Sequence, residues 1–290
     1  MSQLRALVRE ELLQAVDPRA QAIAKAIARK HGAASRAVLF YGSCLRQREL
    51  DGLMLDFYLI VSDYSSAYGQ RWLAAANRLI PPNVFPFEHD DLAAKYAVLS
   101  EADFHRLNGP ETRNVSVWAR FAQPSRLVWS SDLAAEGRAI AAVARAAPTL
   151  LGAALPVVPN DQPPLDLWRA AFALTYSAEL RAERNARAGS VVDADPQRYL
   201  RFTGPALAAA RADGRRSNFS WRRRRAEGKA LSVIRLAKAS ATFAGGVDYI
   251  AWKINRHAGT AIEIRPWQRR WPLLAAVSLV PRLLRSRAIR

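Results

Sequence analysis

The sequence predicts an α/β first half followed by a mainly helical second half. Three observations carry that prediction. Two apolar runs rich in β-formers, AVLFY and LDFYLIVS, lie close together with helical periodicity before and after them. Past Asp132 long Ala- and Leu-rich stretches of helical spacing take over. A proline-rich break, PVVPNDQPP over Pro156 to Pro164, interrupts those stretches, and no strand signal of comparable strength follows it.

From about Leu4 to Lys30, Leu, Val, Ile and Ala recur at helical intervals, and His31-Gly32 supplies a stop. The first strand ends at Gly42. Between the two strands CLRQRELDG is polar and reads as a turn or short helix. A helix from Tyr68 to Leu79 is stopped by Pro81-Pro82, because proline lacks the N–H that helix continuation requires. KYAVLS, Lys95 to Ser100, is a further strand, and VSVWARFAQPSRLVW is a helix or strand broken at Pro124. ADGRRSN, before the run WRRRR, reads as a turn or a disordered patch. These shifts divide the chain into 1–135, a helical 136–265 and a basic amphipathic tail, 266–290.

Half of the 290 residues are apolar, which is enough for a packed core. The lone cysteine, Cys44, excludes an internal disulfide, points to a reducing compartment and argues against a zinc site. Reading runs of consecutive apolar residues, none reaches the roughly 18 to 20 needed to cross a bilayer; the longest conspicuous one is WPLLAAVSLVP, Trp271 to Pro281. The opening MSQLRALVREELLQ mixes charges at helical spacing, as an ordinary amphipathic helix does and a signal peptide does not, so secretion is not expected. The net charge of +18 is concentrated: residues 215–290 carry 18 Lys and Arg against Glu227, Asp248 and Glu263. A polyanionic partner is implied, either nucleic acid or an anionic membrane surface.

The chemistry-bearing stretch is VLFYGSCLRQRELDGLMLDFYLIV, Val38 to Val61. Gly42 lets the backbone approach phosphate oxygens with no Cβ in the way, and the Ser43 hydroxyl and successive amides are donors to them. A Gly-Ser turn alone more often means only a turn. Asp56 sharpens it, since a carboxylate inside an apolar strand is costly unless a metal or cation compensates it. It stands between Met54 and Tyr58, where an Asp-x-Asp pair would need a second acid. Strand, Gly-Ser turn, polar stretch and second strand form the layout by which nucleotidyltransferases hold a triphosphate beside metal-binding carboxylates.

YGSCLRQRELDGLMLDFYLIV resembles the Tyr-Gly-Ser and single-aspartate Asp-Phe motif of the mitochondrial-type phosphatidate cytidylyltransferases, the translocator assembly and maintenance family of CDP-diacylglycerol synthases. In that family the second member of the Asp-x-Asp pair is likewise not an acid. KYAVLS is similar to its Lys-Tyr-Gly-Val strand, WARFAQPSRLVW to its Ala-Gly-Arg-Leu-x-Lys-Pro-Val segment, and TYSAELRAE, Thr175 to Glu183, to a Tyr-x-Gly-Asp-Phe-Arg stretch. The similarity is patchy and runs from about Phe40 to Glu183. Ala178-Glu179 replaces Gly-Asp, and Gln123 or Ser125 stands near the expected lysine.

The resemblance implies a nucleotidyltransferase-type α/β domain and an enzyme making CDP-diacylglycerol and pyrophosphate from CTP and phosphatidate. It implies that Tyr41, Gly42 and Ser43 hold the nucleotide, that Asp56 ligates Mg²⁺, and that Lys95 and Arg120 offset phosphate charge. Without it, Lys95 and Arg120 read as solvated strand-end charges. Glu179 is the candidate second metal ligand, against an ion pair with Arg181 or Arg184; Asp51, Glu88, Asp90 and Asp91 are further, unranked acids. His89 and His105 lack the partners of a nucleophilic or zinc site and read as surface groups.

In the tail, Trp267 and Trp271 fall one helical turn apart around Arg269 and Arg270, an arrangement suited to interfacial docking, with a helix packed on the core as the competing reading. The apolar content of the tail disfavours nucleic acid. The expectation is therefore a cytoplasmic enzyme peripheral to the inner face of the membrane. The alternatives are a nucleotidyltransferase acting on RNA or a protein hydroxyl, and an inactive fold used as a nucleic-acid or membrane binding module.

Overall fold

The structure, a computed structural model, describes residues 2–46, 50, 52–159, 161–179, 187–212 and 220–242. Where the sequence predicts one N-terminal helix there are two, α1 (Ser2–Leu12) and α2 (Pro18–His31). The division follows from Asp17-Pro18: the Asp17 carboxylate accepts from the Arg19 amide at 2.8 Å, and Pro18 takes the first helical position, where a missing N–H costs nothing. Next come β1 (Ser35–Tyr41), one turn of 3₁₀ helix at Ser43–Arg46, and β2 (Met54–Val61). The helix expected over Tyr68 to Leu79 is the shorter α4 (Arg71–Leu79), preceded by the single turn α3 (Tyr64–Ala67), whose cap Asp63 accepts from two amides.

β3 (Asn83–His89) is a strand that periodicity misses, because Pro86 lies in its middle. It is an edge strand, where a residue without an N–H is tolerated. β4 (Leu92–Ser100) and α5 (Glu101–Leu107) follow. VSVWARFAQPSRLVW is both helix and strand, α6 (Ser116–Phe121) and β5 (Ser125–Ser130), with Pro124 between them. Five strands form one mixed sheet in the order β3-β4-β2-β1-β5, with β2 and β4 parallel and the other pairs antiparallel. The α/β character of the first half is thus observed.

The rest of the described chain is helical: α7 (Leu133–Val143), α8 (Ala146–Ala154), α9 (Pro164–Ala178), α10 (Arg187–Asp193), α11 (Pro196–Ala212) and α12 (Trp221–Thr242). Strand alternation sorts side chains onto two faces of the sheet. Val38, Phe40, Phe57, Leu59 and Tyr96 pack with α2. Leu39, Tyr58, Ile60, Ala97 and Leu99 share a second core with α1 and the later helices, including Trp118, Trp168, Tyr199 and Trp221. That core crosses the 135/136 boundary. Within WRRRR, Trp221 is buried and donates to the Ala153 carbonyl at 2.8 Å, while buried Arg224 donates to the Thr112 and Arg113 carbonyls at 3.0 and 2.8 Å. Part of an apparent basic surface run is core.

One described stretch, Leu133–Val157, has the length of a membrane span, and its most apolar 18 residues reach a mean hydropathy of 1.6, although the stretch as a whole contains Glu136, Arg138 and Arg145. It is α7 and α8 joined by a turn, and more than half of its most apolar part is buried inside the protein. Reading consecutive apolar runs overlooks it because those charges interrupt it.

Candidate active site

The β1–β2 register sets Tyr41 directly across from Asp56, and the β2–β4 register sets Asp56 beside Lys95. Lys95 Nζ lies 2.8 Å from Asp56 Oδ1. Gly42 follows Tyr41 with φ of 97°, a left-handed conformation that glycine adopts at no steric cost. A Cβ at Gly42 would stand 3.2 Å from Asp56 Oδ2, so the turn and the carboxylate are in close approach. Ser43, the next residue, is exposed and begins the 3₁₀ turn. Tyr41, Gly42, Asp56 and Lys95, spread over three strands, are therefore gathered at one place.

Asp56 projects to the sheet face that the later helices cover. There Arg120, from α6, donates to the Ser116 carbonyl and lies 3.5 Å from Glu179, the residue that ends α9. Burial works against the Arg120 charge, but Glu179, then Tyr58, Tyr41 and Asp56, hold the guanidinium protonated above its ordinary range. Burial, and after it the Asp56 charge, raises the Tyr41 phenol well above its usual value. Burial also raises the Tyr58 phenol. Both tyrosines are neutral hydrogen-bonding groups at neutral pH.

α12 closes the arrangement. Arg235 donates to the Pro81 carbonyl, at 2.6 Å from Nη2, and to the Ser116 hydroxyl at 2.9 Å. Lys238 donates to the Ile80 carbonyl and, at 2.8 Å, to the Pro82 carbonyl. Burial, reinforced by neighbouring Arg235, lowers the Lys238 ammonium to about 7. Tyr41, Tyr58, Ser116 and four cations, Lys95, Arg120, Arg235 and Lys238, line a cleft of about 170 Å³. That is below the roughly 300 Å³ at which drug-sized ligand sites begin. The cleft suits phosphate groups rather than a whole nucleotide.

Neither a protein-family model nor a curated protein matches the chain.

Of the residues singled out from sequence, Tyr41, Gly42, Asp56 and Lys95 adjoin, and Arg120 and Glu179 form a second group that Tyr41 and Tyr58 link to the first. Glu88, Asp90 and Asp91 lie at the β3–β4 hairpin and Asp51, Arg181 and Arg184 outside the described residues. Trp267, Arg269, Arg270 and Trp271 also lie outside them. His105 is exposed and contacts Arg145, and half-buried His89 lies 3.5 Å from Asp90. Sequence reasoning missed Ser116, Arg235 and Lys238. The last two stand one turn apart in the helical run GKALSVIRLAKASATF, which reads as part of a basic surface, whereas both face inward.

Proposed function

We propose that the protein is a CTP:phosphatidate cytidylyltransferase of nucleotidyltransferase-type fold, acting as a cytoplasmic, peripheral enzyme on the inner face of a membrane. The observation that carries this reading is the close approach of the left-handed Gly42 turn to Asp56, beside a cleft lined by four cations. Backbone amides of a glycine turn cradle phosphate oxygens, and cations beyond them offset the charge of a triphosphate and of a second phosphate.

The donor set fits Mg²⁺ of the kind that takes most of its ligands from phosphates and water. Among the described residues no three metal-binding side chains gather, and the carboxylates near the cleft are Asp56 and Glu179. Those two would hold the ion; when bound, it supplies charge neutralisation and polarisation of the α-phosphate. Lys95 and Arg120 neutralise the remaining phosphate charge, and Tyr41 and Tyr58 offer neutral hydrogen bonds in a poorly hydrated wall. The phosphatidate oxygen forms the new bond to the α-phosphorus, and the bond to the β-phosphate breaks, releasing pyrophosphate. A phosphate monoester is already an anion near neutral pH, so no strong general base is required of the chain.

A second reading, a phosphate-binding module without catalysis, is favoured by Lys95 sitting 2.8 Å from the carboxylate oxygen a metal would use. Pyrophosphate release measured with each of the four nucleoside triphosphates, with and without phosphatidate, separates the two. Release that requires both CTP and phosphatidate supports the enzyme. Release without lipid, or with RNA in its place, overturns it, and nucleotide binding with no release in any mixture supports the module.

A further inference from the structure

We propose that the outer face of α4 is a lipid-docking surface that seats the mouth of the cleft against an anionic bilayer, independently of residues 266–290. The lipid-directed reading of the cleft supplies only the identity of the partner.

Seven large apolar side chains are conspicuously exposed among the described residues, and α4 alone carries two of them. Trp72 is 51% exposed and Leu79 is 81% exposed. They stand two helical turns apart and therefore share a face. The helix RWLAAANRL turns its inner side to the protein through Ala74 and Asn77, whose side-chain amide donates to the Val98 carbonyl at 2.9 Å. Arg71, Trp72, Ala75, Arg78 and Leu79 are left outside. The Trp72 indole donates to Gln70 Oε1 at 2.7 Å, which steadies the ring on the surface.

Singly exposed apolar residues are ordinary. This face differs in composition: an indole and a leucine, two arginines, and no acid anywhere in the helix. Indoles settle at headgroup depth, leucine enters the acyl boundary, and arginines reach lipid phosphates while their stems stay apolar. Arg71 and Arg78, the latter also donating to the Ser65 hydroxyl of α3 at 2.5 Å, give the face a positive charge that selects an anionic surface over a neutral one.

Position supplies the remaining support. Leu79 runs directly into Ile80-Pro81-Pro82, whose carbonyls Arg235 and Lys238 hold, and Pro82 itself lines the cleft. Ile234, beside Arg235 on α12, is a further exposed apolar side chain at 44%. A bilayer lying on α4 would thus lie at the cleft rim, so an acidic headgroup could reach the cations with its chains still in the membrane.

Because Cys44 is buried, Leu79→Cys in the full chain creates a single accessible thiol for a nitrobenzoxadiazole label. Vesicles of phosphatidylcholine with phosphatidylglycerol should shift its emission to the blue, and lipids carrying nitroxides on their acyl chains should quench it. Vesicles of phosphatidylcholine alone should do neither. A label at Leu200→Cys on α11, which packs on α1, α8 and α9, should stay silent. Leu79→Glu is expected to lower the vesicle partition coefficient about tenfold. Failure to sediment with anionic vesicles, or sedimentation with position 79 still in water, overturns the proposal. Shielding of the label without lipid, together with a doubled mass, assigns the face to a second copy and also overturns it. Turnover of CTP with short-chain soluble phosphatidate, read on the same protein, separates the two readings. Insertion without turnover rejects the enzyme and keeps the docking face; turnover without insertion does the reverse.

Discussion

The two ends of the cleft are built by different means. At one end Tyr41, Gly42, Asp56 and Lys95 are fixed by strand register, each within a few residues of a hydrogen-bonded ladder partner. At the other end Arg235 and Lys238 come from α12 and are held by side-chain bonds to the carbonyls of one turn that lies more than 150 residues before them in the chain. The strand end places a carboxylate with a cation, nearly balancing charge. The helix end adds two cations, Arg235 bonded to the Pro81 carbonyl and the Ser116 hydroxyl and Lys238 to the Ile80 and Pro82 carbonyls. Positional accuracy thus comes from the sheet, and the surplus of positive charge comes from α12.

The largest expected effect lies at the strand end. Asp56→Asn keeps the shape beside Gly42 but removes the charge that both Lys95 and a metal need. Turnover with CTP and phosphatidate should fall by about 10²-fold or more. Circular dichroism should be unchanged. Near-normal turnover of the purified variant would reject the metal role and shift the weight of the site to the cations.

The same contrast explains what was legible in the sequence. Alternating apolar runs announced β1, β2 and β4, and a glycine followed by an aspartate in an apolar strand announced the turn and its carboxylate, because those relations are local. The edge strand β3 was hidden by Pro86, and the break between α1 and α2 was hidden by continuous helical spacing across Asp17-Pro18. Arg235 and Lys238 resemble any exposed basic pair, since facing inward depends on tertiary docking. Arg224 was likewise concealed, lying in a run of four arginines of which it is the buried one, between the rings of Trp118 and Trp221.

The docking of α12 gives the next largest effect. Gly228 passes so close to the end of α9 that a methyl group there would run into the Ala178 carbonyl oxygen, next to Glu179. Gly228→Ala should lower stability by about 1–3 kcal/mol in urea denaturation, and it should also loosen pyrophosphate binding as α12 shifts. Arg235→Ala, which leaves the packing of Gly228 alone, should weaken pyrophosphate binding about tenfold with a smaller loss of stability. If Gly228→Ala is neutral in both measurements, α12 is not held as described and the helix end of the cleft loses its support.

The smallest effect is a pH dependence, and it isolates the helix end. Lys238 sits at about 7, below its ordinary value, because burial and Arg235 both disfavour the ammonium. Between about 7 and the ordinary lysine range the unfolded chain holds a proton that the folded chain has released, so this residue's contribution to stability improves as pH rises through that window. At and below about 7 the penalty of the buried charge is fully present. Anion binding runs the opposite way, since a phosphate needs the ammonium, and it should weaken as pH rises past 7. Pyrophosphate titrates in the same range, so the informative quantity is the ratio of wild-type affinity to that of Lys238→Met, which keeps the stem and removes the charge. That ratio should be about tenfold at pH 6 and shrink toward unity by pH 9, while the melting temperature of Lys238→Met should exceed wild type at pH 6 and converge with it on the alkaline side. A ratio that stays constant across the range means that Lys238 keeps its proton throughout, and that the α12 end of the cleft is more open to water than its burial implies.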